Sequence, residues 1–187
     1  MERTVVTARR RSSSAPALDT LSDAECAHVL AGMLGAHPDL RPEAEQAAQA
    51  LLESVVIADV ADAVSSSIET IPLGDLGARS GRIRGRGYVD ETEAAWELVT
   101  EAMESFRADL RRRAGLDLAD AAAALAVGIV AGLYRLREPQ DGTVLAYAGP
   151  DAPSEFASEI IREADRLGVA LPTEGSSRYW PHWSELD

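Results

Sequence analysis

Glu25 and His28 stand three residues apart, the spacing by which one helical turn projects a carboxylate and an imidazole toward the same metal ion. A dinuclear carboxylate centre needs two such pairs and two further carboxylates, and neither His37 nor His182 has a glutamate three positions before it. The pair is therefore read as a capping glutamate beside an ordinary histidine, and no metal site is expected. Cys26 and His28 are two apart, so on a helix their side chains diverge and do not form a nucleophile and base. Cys26 is expected as a small buried thiol. No Gly-x-Ser-x-Gly elbow is present, and Asp59 with Asp62 reads as a solvated helix face. The chain has no lysine, which excludes both a Schiff-base lysine and the lysine of a phosphate-binding loop. No catalytic residue and no cofactor is expected. A pocket among helices near His28 or His37 is the remaining enzymatic alternative.

The stretch GARSGRIRGRGYVD, residues 77–90, carries Arg79, Arg82, Arg84 and Arg86 in a chain of net charge -13. Its glycines at 77, 81, 85 and 87 do not have a phosphate-cradling spacing, and no strand precedes it. These arginines contribute +4 and residues 1–18 contribute +3, which leaves -20 on everything else. Such a surface offers many carboxylates for bidentate pairing, so docking of the loop onto its own protein is the leading reading. The alternatives are RNA contact, with Tyr88 as a stacking ring, and an acidic protein partner. The C-terminal SSRYWPHWSELD brings together Tyr179, Trp180 and Trp183. Rings of this kind anchor interfaces, or they fold back and cover the helical body. The four arginines and three rings are the candidate partner-binding residues.

The elements that must position them are helical. Ser22 and Glu25 form a capping box ahead of the apolar Val29, Leu30, Met33 and Leu34, with Gly35 as the stop. Pro42, Glu43 and Glu45 open a second helix whose stripe is Ala44, Ala47, Ala48, Leu51, Leu52 and Val55. Val60, Val64, Ile68 and Ile71 outline a third, ended by Pro72. Asp90 and Glu93 cap a long fourth helix over about 91–114, where Ala95, Val99, Ala102, Phe106 and Leu110 share a face. Arg111, Arg112 and Arg113 sit at its C-terminal end, as the helix dipole favours. LADAAAALAVGIVAGLYRL is apolar on every side but too short to span a bilayer, so it is the expected central buried helix. Gly128 and Gly132, four apart, would admit a neighbouring backbone. After a loop with a short extended piece, Phe156, Ile160, Ile161, Ala164 and Leu167 mark a sixth helix that Gly168 stops.

The expected fold is all-α, with about six helices in a compact bundle or in stacked antiparallel pairs of the HEAT-like kind. Residues 1–18 are a disordered basic tail, 19–168 a single helical domain and 169–187 an aromatic tail. The alternatives for the first segment are a transit peptide and, at RRRSSS, a basophilic kinase site. At 187 residues and 46% hydrophobic, the chain has a core of ordinary size. One cysteine excludes an internal disulfide and a cysteine-based zinc cluster, and it fits a reducing cytoplasm. The acidic excess repels nucleic acid and anionic membrane. Absence of both lysine and asparagine, whose codons are AT-rich, indicates a GC-rich bacterial genome.

DLGARSGRIRGRGYVDETEAAWELV, with FRADLRRR and GIVAGLYRLRE, resembles a family of small prokaryotic helical proteins without an assigned activity. The resemblance covers about residues 22–168 and implies the helical fold, with no site residues. The expected function is a non-enzymatic binding or adaptor protein engaging a protein partner, with a nucleic-acid-associated regulator as the first rival.

Overall fold

The computed structural model describes residues 16–85, 87–138, 141–172, 179–181 and 183. Most of the N-terminal tail, Arg86 and His182 lie outside them. The described residues are all-α apart from one small hairpin. They form α1 (Asp23–Ala36), α2 (Arg41–Glu53), α3 (Ile57–Glu69), α4 (Leu73–Arg79), β1 (Gly81–Ile83), β2 (Gly87–Val89), α5 (Glu91–Gly115), α6 (Ala119–Arg135), α7 (Val144–Ala148) and α8 (Ala152–Arg166). Among the described residues, eight helices thus stand where six were expected. The additions are α4, at the start of the arginine segment, and α7, in the loop expected to hold an extended piece. Pro72 does not end α3, which stops at Glu69. It instead provides the extended N-cap residue ahead of α4, with φ of -68° and ψ of 134°.

Two compact units divide the chain inside α2, residues 1–48 and 49–187. In the first, the capping box forms as expected: Glu25 N–H donates to Ser22 Oγ, while Ser22 N–H and Oγ–H both donate to Glu25 Oε2 at 2.9 and 2.7 Å. Gly35 does not stop α1. The helix runs through it to Ala36 and His37 caps it. No residue of α1 is buried.

The second unit is a bundle arranged around α6, which is buried over most of its circumference and contacts α3, α5 and α8. Because α3 packs chiefly on α6 and not on its neighbours in sequence, the arrangement is a bundle and not a stack of sequential pairs. The α3–α6 seam depends on two glycines. A Cβ at Gly128 would stand 2.6 Å from Val60 Cβ, and one at Gly132 would stand 2.8 Å from the Ala61 carbonyl oxygen. Ser65 Oγ reaches the Gly132 carbonyl across the seam at 3.1 Å, a contact that only close backbone approach allows. Among the described residues no helix is long and apolar enough to cross a membrane.

Candidate interaction surfaces

The arginine segment is a folded piece and not a loose loop. β1 and β2 pair antiparallel with Gly81 opposite Val89, Arg82 opposite Tyr88 and Ile83 opposite Gly87. Alternate residues of a strand point to opposite faces, and here Val89 is buried and Ile83 packs partly against the core, while Arg82 and Tyr88 face solvent. The glycines serve the backbone: Gly85 in the turn and Gly87 at the start of β2 hold φ of 87° and 95°, which side-chain-bearing residues avoid. A period-two signal was present in the sequence, since Arg82-Ile83-Arg84 and Gly87-Tyr88-Val89 alternate polar and apolar around a glycine turn.

The four arginines do not act alike. Arg79, the last residue of α4, donates to Glu101 Oε2 of α5 at 2.6 Å, which is the expected intramolecular docking. Arg82 and Arg84 are exposed and form no ion pair among the described residues. Arg86 lies outside them. The outward face therefore consists of Arg82 and Arg84 beside Tyr88, whose ring is 77% exposed.

The aromatic tail turns inward. Trp180 is only 3% exposed and belongs to the core, and Tyr179 and Trp183 pack half-buried against it. Trp183 meets the Tyr134 ring of α6 edge-on at 5.1 Å, and the Arg137 guanidinium lies 4.5 Å from the centre of the same Tyr134 ring. Of the two readings of this tail, the rings cover their own protein at these positions and Trp180 is not on display.

α1 leaves most of its apolar stripe uncovered. Val29, Leu30 and Met33 are exposed, the last two at 53% and 51%. Cys26, expected as a buried thiol, is exposed on that helix as well. Cys26, Val29, Leu30 and Met33 follow the i, i+3, i+4, i+7 spacing, so they form one face. Leu21, Leu34, Leu40 and Ala44 are half-buried. The second-helix stripe is also less covered than expected, with no buried residue in α2 and Leu51 exposed.

One polar cluster is partly buried. Glu163 of α8 accepts from Arg107 Nε at 2.8 Å and from Arg111 Nε at 2.5 Å, both on α5. Arg107 also pairs with Glu159, and Arg111 with Glu104. Burial alone would raise the pKa of Glu163, but the hydrogen bonds and charge of the two arginines outweigh it and hold the carboxyl below the usual range. The arginine run thus does more than complement a helix dipole. Arg111 bridges to α8, and Arg113 is buried with its Nε on Asp109.

Open depressions mark the second unit. One of about 400 Å³ is lined by Glu53, Asp117, Leu118, Ala119, Asp120 and Ala121, and one of about 490 Å³ by Arg107, Glu159, Arg162, Asp165 and Arg166. Neither lining contains a serine, cysteine or histidine among the described residues; the titratable groups there are carboxylates and arginines. His28 and His37 are exposed and border neither one. Hydrogen bonds from Ser22 engage the Glu25 carboxylate, and among the described residues no three or more of His, Cys, Asp and Glu come together to hold a metal. Comparison with known families, curated proteins and solved structures finds no match for this chain.

Proposed function

We propose that this chain is a non-enzymatic binding protein, an adaptor that engages a protein partner through the outward face of the β1–β2 hairpin. The observation that carries the reading is the direct cross-strand pairing of Arg82 with Tyr88, both open to solvent, on a hairpin fixed from below by Val89 and Ile83. Arginine and tyrosine are enriched among residues that dominate binding energy, and anchors held rigid before contact lose less entropy on association. The Arg79–Glu101 ion pair adds a second tether at the base of the hairpin. Arg82 and Arg84, without carboxylate partners among the described residues, suit an acidic segment of the partner, because guanidinium groups take carboxylates bidentately.

A second reading, single-stranded nucleic acid, is favoured by the same pair, since a base can stack on Tyr88 while an arginine meets its phosphate. Asp90, the N-cap of α5, and Glu91 and Glu93 of its first turn follow directly after β2 and oppose it. One experiment separates the two. The chain is used as bait in lysate of its native host, beside Arg82→Gln/Arg84→Gln and Tyr88→Ala variants, with and without nuclease. The adaptor reading expects a protein that both variants lose and that nuclease leaves in place. Recovery that vanishes with nuclease and weakens steeply with salt would transfer the surface to nucleic acid. Equal recovery by bait and variants would end both readings of the hairpin.

A further inference from the structure

Within the first unit, α1 is a helix with an uncovered apolar face. Cys26, Val29, Leu30 and Met33 line it, all exposed. A lone apolar side chain on a surface is ordinary, but four on one helical face mark a site that something covers. Charge decides what. From residue 26 to 36 the helix contains no Asp, Glu, Lys or Arg, and its carboxylates, Asp23 and Glu25, are confined to the first turn. This uncharged stretch extends for about 16 Å at the rise of an α-helix.

From this we infer that the chain forms a homodimer in which α1 packs antiparallel against α1 of a second copy. A symmetric interface requires a patch complementary to itself. In a chain with net charge -13 an acidic patch fails that requirement, because like charges meet across the axis. The 26–36 stretch meets it, having no like charge to bring together. Antiparallel order follows from the ends: a parallel pair would place both Asp23–Glu25 turns side by side, whereas an antiparallel pair sets them at opposite ends. A single helix pair of this length buries less than the ~800 Å² per partner of a standard interface, so the dimer is concentration-dependent.

Sedimentation velocity and light scattering across a wide concentration range test the inference. The full chain is expected to move from the mass of one chain toward twice that mass. Leu30→Glu and Met33→Glu variants are expected to stay monomeric at every concentration with the helicity of the dilute parent, since neither side chain is buried within its own protein. The unmodified chain provides a second measure through its only cysteine. Alkylation of Cys26 is expected to be fast in dilute solution and to slow severalfold, in parallel with the mass increase, as the chain is concentrated. A monomer throughout would overturn the inference. So would a dimer that survives both substitutions, or a dimer whose formation leaves the rate of Cys26 alkylation unchanged.

Discussion

Glu163 shows how one residue ties two helices together and links their union to pH. Its carboxylate receives both Arg107 and Arg111 of α5 while only 6% of the residue is exposed. Its folded-state pKa lies below the unfolded value of about 4.3. A carboxylate shifted in this direction contributes stability that is fully present above the unfolded pKa and is lost as pH falls through the folded one. The group therefore adds no pH dependence near neutrality, and its contribution begins to be lost as pH falls below about 4.3. Glu163→Gln keeps the shape but turns an amide N–H₂ toward one guanidinium and removes the charge both arginines meet. The expected loss at neutral pH is about 1.5–3 kcal/mol, the range for hydrogen bonds to charged groups. Thermal melts at neutral and acid pH check both parts: the variant should start less stable, and its decline on acidification should be shallower than that of the parent. A variant that tracks the parent at every pH would mean that the cluster is a surface ornament worth nothing to the fold.

At the level of elements, the α3–α6 seam rests on two absent side chains. A methyl at Gly132 meets the Ala61 carbonyl oxygen and Val64 Cβ at 2.8 Å, both on α3 and neither able to swing aside. Alanine favours a helix over glycine by about 1 kcal/mol, yet overpacking a closed seam costs about 1–3 kcal/mol, so Gly132→Ala is expected to be net destabilising. Gly77 in α4 is the contrasting case, with nothing near its virtual Cβ, and Gly77→Ala should be neutral or stabilising by up to about 1 kcal/mol. Urea unfolding of the two variants tests the difference in sign. This seam was legible in the sequence because a wholly apolar run with glycines four apart suits a buried helix that a neighbouring backbone approaches closely. So were the Ser22 capping box and the Asp90 cap, whose Oδ1 accepts from Glu93 N–H at 2.7 Å, since both are local pairs. The hairpin was hidden because its charged glycine-rich composition masks a two-residue alternation only three residues long on each strand. α7 escaped because five residues are too few to display a helical period. The coverage of α1 could not be read at all: an apolar stripe states that a helix can be buried, while what buries it depends on the rest of the surface. The candidate site shifted for the same reason, since composition marked Trp180 and Arg82 alike as contact residues and only packing separated the buried ring from the open guanidinium.

For the molecule as a whole, the uneven distribution of burial between its two units predicts an uneven distribution of stability. The helices of the second unit share one core, in which Ile68, Met103, Ile129, Leu133 and Ile160 are fully buried. A backbone amide of α6 can meet solvent only when that core opens. α1 has a capping box but no buried residue, and a helix of its length is marginal in water without packing. Its amides should therefore exchange through local opening at low free energy, while those of α6 exchange only through opening close to global unfolding. Hydrogen exchange followed by mass spectrometry in dilute solution should find peptides from 23–36 deuterated by the earliest times and peptides from 119–135 protected by several orders of magnitude more. Concentrating the sample provides the discriminating step. If α1 is ordered by a second copy, its protection rises with concentration and that of α6 does not, because mass action stabilises only the element that the partner covers. Uniform protection of both helices in dilute solution would instead require α1 to be held by contacts that its exposed side chains do not make.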